Sequence, residues 1–311
     1  MTTTWSETDL LRELNQVVEK ELNRHLQVAK EWFPHEYIPW SDGRNFDGLM
    51  GGDAWSPDDS PMSDVARSAL VVNLLTEDNL PSYHHEIATI FGRDDAWGAW
   101  VHRWTAEEGR HGIAMRDYLV VKRSVDPVEL ERFRMTHMSQ GYAADHPDSM
   151  MHSLAYVSFQ ELATRVSHRN TGKYTDDPMA DRLLARIAAD ENLHMIFYRN
   201  LMQAAIELAP DQAMKAILDV VTGFSMPGAD IPGFQRKAVE MAVAGIYDLR
   251  SHRDEVVAPV LRFWKVDELE GLSQEGEQAR SELATFMDGL DKQAARFEDK
   301  RDTMKARMNI G

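Results

Sequence analysis

The sequence predicts an all-α protein whose core is a four-helix bundle around two metal-binding motifs. Apolar residues recur at spacings of three and four along most of the 311 residues, whereas convincing runs of alternating β-branched residues do not occur. Two short runs, Glu107 to His111 and Asp190 to His194, each contain two consecutive acids and a histidine three positions after the second acid. Helix bundles use paired Glu-x-x-His motifs of this kind to hold two metal ions.

Composition and charge narrow the possible functions. The chain has no cysteine, which excludes a disulfide framework, a thiolate nucleophile and an iron-sulfur cluster bound by the chain itself. Its formal net charge of −17 opposes non-specific binding to nucleic acid and to anionic membranes. The sequence shows no signal-peptide pattern and no run of the roughly 18 apolar residues that a membrane span needs, so a cytoplasmic location is expected.

An acidic partner would need a local basic patch on this acidic chain. Four basic pairs are candidates, although solvated surface is the favoured interpretation of each. They are Lys122 with Arg123, Arg165 with Arg169, Arg236 with Lys237, and Arg262 with Lys265.

The first half of the chain supplies a leading helix and most of the bundle. An amphipathic helix is expected within residues 1–30, followed by a long ordered loop from Trp32 to Asp64 that is rich in Pro, Gly and Asp. Four long helical segments form the predicted core over about 64–208, with a shorter helix near 127–140. The four segments cover about 64–91, 95–121, 149–170 and 178–208.

Residues 209–311 are expected to add further helices, so that 1–311 forms one domain. The prolines and glycines of Gly223 to Gly233 interrupt the chain, and shorter helices continue to about residue 265. From Ser273 to Met308 an apolar stripe indicates a last helix that packs on its own domain or, as the less favoured alternative, makes a coiled-coil contact. The stripe consists of Leu283, Phe286, Leu290, Ala294 and Phe297.

The two Glu-x-x-His motifs place an acid and an imidazole on one helical face. Residues i and i+3 share a face, so Glu108 with His111, and Glu191 with His194, can each point at one metal ion. Only these two of the twelve histidines follow a glutamate by three positions. A single copy is expected by chance, but a second copy with the same flanking acid is difficult to explain as an accident.

Glu77 and Glu161 complete the predicted ligand set. They lie on the apolar faces of the first and third long helices, where they are expected to supply bridging carboxylates. A buried acid is costly unless it is paired or binds a metal, and these faces contain no Lys or Arg. Oxygen and imidazole ligands favour iron or manganese over zinc.

Acids next to the motifs are candidates for hydrogen bonds to the ligand histidines. Glu107 and Asp190 lie about 100° around the helix from the predicted ligands, where each can reach the histidine of the opposite motif. Trp32 is a candidate to extend such a chain of hydrogen bonds, with plain packing as the alternative that periodicity alone favours.

Four strings then point to a known family. They are TEDNLPSY at 76–83, WTAEEGRHG at 104–112, SFQELAT at 158–164 and ADENLH at 189–194. With these strings the chain resembles the soluble acyl-acyl-carrier-protein desaturases, the type 2 fatty acid desaturases of the ferritin-like di-iron family, including their mycobacterial branch. The likeness extends from about Leu10 to Leu261. Gly109 departs from the family, since many relatives have Asn there, but all six ligand positions are present.

The resemblance implies a fold, a cofactor and a reaction. It implies a ferritin-like bundle with two iron ions, oxygen or proton handling by Thr164, and an electron path through Trp32 and Asp190. The implied reaction is the O₂-dependent conversion of a saturated chain on acyl carrier protein to a cis alkene, with electrons from a ferredoxin-like donor, in fatty acid or mycolic acid precursor biosynthesis. It also implies a homodimer. The implied ligands are Glu77, Glu108, His111, Glu161, Glu191 and His194.

A saturated chain also needs an apolar tunnel beside the metals. Helical faces suggest a lining of Leu74, Trp104, Met115 and Tyr198, with core packing as the alternative for each. Other functions remain open from the residues alone: a di-iron hydroxylase or N-oxygenase, iron storage as in ferritin, or an inactive helical scaffold.

Overall fold

The computed structural model describes residues 4–226 and 233–308, the last five of these by their backbone alone. Its helices are α1 Glu7–Val28, α2 Asp64–Asp78, α3 Leu80–Phe91, α4 Asp95–Val121, α5 Pro127–Gln140, α6 Met150–Tyr174, α7 Pro178–Leu208, α8 Pro210–Gly223, α9 Phe234–Ala244, α10 Leu249–Ser251, α11 Ala258–Phe263 and α12 Gln274–Met308, with a π-helical turn His252–Val257 between α10 and α11. The described residues contain no β-strand, and their single β-bridge joins Phe46 to Asp53. The predicted all-α class is confirmed.

The predicted helix over 64–91 is wrong in one respect, because the structure divides it at Asn79. Pro81 lies in the first turn of α3 and has no N–H to donate to the carbonyl of Glu77 four residues earlier. The Asn79 side chain instead donates to the Gly141 carbonyl at 2.9 Å. Glu77 therefore lies in the last turn of α2, immediately before the break between α2 and α3.

Local capping explains where the helices that carry the acids begin. Ser63 Oγ accepts from the Ala66 N–H at 3.2 Å ahead of α2, and Asp177 Oδ1 accepts from the Met179 N–H at 2.7 Å ahead of α7. Pro178 suits the first position of α7, because its missing N–H would have no partner there. These residues fix the starts of two of the four long helices.

One apolar core joins the bundle to the later helices. A single buried cluster includes side chains of α1, α4, α6, α7, α8 and α12. On α12, Leu283, Leu290 and Ala294 are buried, which confirms that this helix packs on its own domain. Residues 227–232 of the predicted interruption lie outside the described residues.

The loop between α1 and α2 is held to the bundle by a buried arginine. Arg123 is 3% exposed and donates from Nη2 to Asp59 Oδ2 at 2.8 Å and to the Ala54 carbonyl at 3.0 Å. Its guanidinium also stacks on Phe46. Lys122 donates to Asp42 at 3.0 Å, so this predicted basic pair anchors the loop and does not form an open patch.

Among the described residues, no helix combines the length and the apolar character that crossing a bilayer requires.

Candidate metal centre

The six predicted ligand side chains meet in the middle of the bundle. They come from four helices: Glu77 from α2, Glu108 and His111 from α4, Glu161 from α6, and Glu191 and His194 from α7. All six are buried, and both histidines have no exposed surface. Their donor atoms form two groups, each compact enough to hold one ion.

Glu108 and Glu191 belong to both groups. Glu108 places Oε2 at 3.2 Å from His111 Nδ1 and Oε1 at 2.7 Å from His194 Nδ1. Glu191 Oε1 lies 3.0 Å from His111 Nδ1. Glu77 and Glu161 each join one group only. The expectation that those two acids bridge was therefore wrong: the glutamates of the two motifs occupy the shared position.

Both histidines point Nδ1 at the acids and Nε2 outwards. His111 Nε2 lies 3.4 Å from Asp190 Oδ2, and His194 Nε2 lies 2.9 Å from Glu107 Oε2. Each flanking acid thus contacts the histidine of the opposite motif, as its helical position predicts. Trp32 Nε1 donates to Asp190 Oδ2 at 2.7 Å, so Trp32 is part of this hydrogen-bonded chain and is also packed.

Three further contacts were missed from the sequence. His25 Nε2 lies 2.9 Å from Glu107 Oε2, His168 Nε2 lies 3.0 Å from Glu77 Oε1, and Trp104 Nε1 donates to Glu161 Oε1 at 3.0 Å. His168 follows Glu161 by seven residues, which is two turns along the same face. His25 likewise continues the buried stripe of α1. Helical position was the available signal, because neither histidine belongs to a motif.

Thr164 lies one turn after Glu161 on α6. Its hydroxyl donates to the Glu161 carbonyl at 2.9 Å, and Oγ1 is 3.4 Å from Glu191 Oε2. The side chain is buried yet borders the cavity described below. Thr164 therefore lies between a shared acid and an apolar space.

Burial and mutual repulsion set the charge of the acids. Burial, together with the neighbouring Glu191 charge, raises the pKa of Glu161 to about 8, and burial also raises the pKa of Glu108. Burial likewise opposes ionisation of Glu77, but hydrogen bonds from His111 and His168 outweigh it and hold its pKa low. Burial therefore favours the neutral forms of Glu161 and Glu108, whereas the two histidines favour the charged form of Glu77.

The residues present fit two divalent cations. Four ionised carboxylates and two neutral imidazoles carry a charge of −4, which two divalent ions would neutralise. Four buried atoms in the centre make no aligned hydrogen bond even where another donor or acceptor is close, as expected of atoms that face a metal: Glu108 Oε1, Glu161 Oε2, Glu191 Oε1 and His194 Nδ1. Oxygen and imidazole donors suit iron and manganese.

A cavity of about 280 Å³ reaches the centre from the side of α3, α4 and α6. Glu77, Glu108 and Thr164 lie along it, and its walls include Leu80, Ile87, Trp104, Val157 and Phe224. Of the predicted lining residues only Trp104 is correct. Leu74 and Met115 pack in the apolar cluster that contains Trp32, and Tyr198 packs against Trp100 and Phe197. A helical face shows that a side chain points inwards, but it does not show whether neighbours fill the space.

Several known proteins are similar to this chain in sequence. The chain matches the family described as fatty acid desaturase over residues 6–310. It is 56% identical over 300 residues to the Mycobacterium tuberculosis protein named acyl-acyl-carrier-protein desaturase DesA1, which covers 94% of this chain and 88% of that protein. It is 33% identical over 250 residues to stearoyl-acyl-carrier-protein 9-desaturase 6 of Arabidopsis thaliana, over 75% of this chain and 63% of that protein.

The fold of this chain also resembles a solved structure of Mycobacterium tuberculosis DesA2, a protein named as an acyl-ACP desaturase, with a TM-score of 0.71. The two sequences are 31% identical, and the match covers 87% of this chain and 98% of that one. Most of the fold is therefore shared with that protein.

Proposed function

This chain belongs to the fatty acid desaturase family, and from that membership we propose that it desaturates a saturated acyl chain carried on acyl carrier protein. The observation that carries the proposal is the buried group of four acids and two histidines at the inner end of an apolar cavity. A cavity of this kind suits an alkyl chain, and the acids and histidines suit the metals that oxidise one.

We propose that Glu77, Glu108, His111, Glu161, Glu191 and His194 hold two iron ions. When bound, the ions would supply the oxidising power that removes hydrogen from unactivated C–H bonds, which acid and base side chains cannot do. In each turnover two adjacent methylenes lose one hydrogen each, and O₂ with two electrons and two protons leaves as two water molecules.

The chain's own residues position these groups and exclude water. Asp190 and Glu107 orient the His111 and His194 rings through Nε2, and this fixes Nδ1 towards the acids. Trp104 and His168 hold the unshared acids Glu161 and Glu77. The apolar walls keep the reacting carbons dry. Thr164, between Glu191 and the cavity, is placed to exchange a proton at its hydroxyl.

The remaining parts of the proposal concern partners and location. A ferredoxin-like donor would deliver electrons towards His111 through Trp32 and Asp190, which already share a hydrogen bond. Carrier proteins are acidic, so docking on this acidic chain should be local and weakened by salt. We further propose a cytoplasmic homodimer of single-domain chains that serves fatty acid synthesis, including precursors of mycolic acids.

Metal analysis and product analysis test the proposal together. The iron-loaded protein should contain about two irons per chain and, with acyl carrier protein substrate, reduced ferredoxin and O₂, should yield an alkene detected by gas chromatography. Glu108→Gln and Glu191→Gln should each lose iron and product, because each removes an acid shared by both groups. Glu21→Gln is the matched control, since Glu21 is also buried but is paired with Arg24 and Asn200.

The products separate the alternatives. A hydroxylated chain would identify a hydroxylase with the same centre, and many irons per chain without product would indicate iron storage. Equal alkene yields from the wild type and both Gln variants would contradict the proposed centre.

A further inference from the structure

A separate group of three potential metal ligands lies at the outer part of the cavity, away from the buried centre. His146 precedes α6, His152 is in its first turn, and Asp219 is near the end of α8. One donor atom from each lies within 4.8 Å of the other two. All three residues border the same cavity.

The spacing of the His152 and Asp219 donor atoms matches that of two ligands of one ion. His152 Nε2 and Asp219 Oδ2 are 3.2 Å apart. Two ligands bound tetrahedrally at the usual zinc distances are separated by about 3.3 Å. The His146 ring stacks on the His152 ring with centroids 3.9 Å apart, and His146 is exposed, so a side-chain rotation can bring its nitrogen to the same point.

The orientation of His152 is fixed in the way that metal-binding histidines usually are. His152 Nδ1 lies 2.7 Å from Ser149 Oγ. When Nδ1 carries the proton and donates it to Ser149, the lone pair of Nε2 faces Asp219, as metal binding requires. Burial lowers the pKa of His152 and the nearby His146 and Lys215 charges act in the same direction, while Asp219 opposes them. A neutral ring is the form that binds metal.

We propose that His146, His152 and Asp219 form a site for one divalent transition-metal ion of the zinc class, with water in the fourth position, at the mouth of the cavity. Two imidazoles and a carboxylate with an open position are the donor set of such sites. An ion there would occupy the entrance. Its expected effect on turnover, inhibition by blocking the acyl chain, rests on the proposed function, but binding itself does not.

Cobalt(II) is the probe, because four-coordinate Co²⁺ absorbs strongly in the visible range and six-coordinate Co²⁺ absorbs weakly. Tag-free, iron-loaded protein is titrated with Co²⁺, and the bound metal is counted by dialysis and elemental analysis. We expect one Co²⁺ per chain beyond the iron, with the strong four-coordinate spectrum. His146→Ala, His152→Ala and Asp219→Asn should abolish that spectrum, and Ser149→Ala should weaken Co²⁺ binding about tenfold.

His35→Ala is the matched control, because His35 is an exposed imidazole outside the potential ligand groups of the described residues. It should bind Co²⁺ as the wild type does, and circular dichroism confirms that each variant is folded. No additional equivalent in the wild type, or an unchanged spectrum in folded Asp219→Asn, would overturn the site. Alkene formation is measured on the iron-loaded protein before Co²⁺ is added; no alkene at that stage, together with later binding of the extra ion, would contradict the proposed function alone.

Discussion

Helices α6 and α7 approach so closely at Gly172 that a methyl group there would be crowded by its neighbours. A Cβ added there would lie 3.0 Å from Asp181 Oδ1, 3.2 Å from Asp181 Cα and 3.3 Å from Leu184 Cβ. At Gly109, inside α4, the nearest atom is Leu80 Cδ2 at 3.8 Å, an ordinary contact. The same substitution should therefore act oppositely at the two positions.

The expected magnitudes follow from two opposing effects. Replacing a helical glycine with alanine gains up to about 1 kcal/mol in propensity, whereas forced overpacking costs about 1–3 kcal/mol. Gly109→Ala should thus raise the free energy of unfolding by about 0.5–1 kcal/mol. Gly172→Ala should lower it by about 1 kcal/mol, because the packing cost exceeds the propensity gain.

Urea unfolding of both variants beside the wild type measures this difference. The midpoints should move in opposite directions at an unchanged denaturant slope. Iron content should stay unchanged in Gly109→Ala, although Gly109 adjoins a proposed ligand. If Gly172→Ala proved as stabilising as Gly109→Ala, the close approach of α6 and α7 would be refuted.

Three further predictions concern acid sensitivity, electron entry and the loop. Burial lowers the pKa of His252 to about 4 from its usual 6.5, so its contribution to stability is present above pH 6.5 and is lost as the pH falls towards 4. Thermal unfolding measured across this pH range should show a loss of up to about 3 kcal/mol in the wild type, and His252→Gln should remove that loss. Equal acid sensitivity in the wild type and the variant would contradict this prediction. Trp32→Phe keeps an aromatic ring at this position but removes the N–H donated to Asp190, so iron content should hold while ferredoxin-driven turnover falls about tenfold or more; unchanged turnover would count against the path. Arg123→Met removes the hydrogen bonds from the guanidinium to Asp59 and to the Ala54 carbonyl and should lower the thermal unfolding midpoint, with faster tryptic cleavage after Arg44, whereas a loop equally resistant to trypsin would show that Arg123 does not anchor it.

Much of the fold and centre was predictable because both depend on helical periodicity. Position on a helix gave the inward direction of Glu77 and Glu161, and the contact of each flanking acid with the opposite histidine. Helical position could not show which acids belong to both ligand groups, since that depends on how far each helix lies from the centre. The sharing of Glu108 and Glu191 is a property of tertiary packing alone.

Other differences also arise from packing across elements. The division at Asn79 was signalled by Pro81, but apolar periodicity continues through it and conceals the break between the two helices. His25 has no motif, and its contact with Glu107 appears only when α1 is laid against α4 and α7. The cavity is space left unfilled, and no pattern along a single helix records empty space.

The division of the first long helix at Asn79 makes the two halves of the centre mechanically unequal. Glu161 and Glu191 are on uninterrupted helices of 25 and 31 residues, whereas Glu77 ends a helix of 15 residues. Glu161 is thus positioned by a long packed helix. Glu77, the unshared acid that borders the cavity, depends instead on its contact with His168 and on the pair between the neighbouring Asp78 and Arg134 on α5.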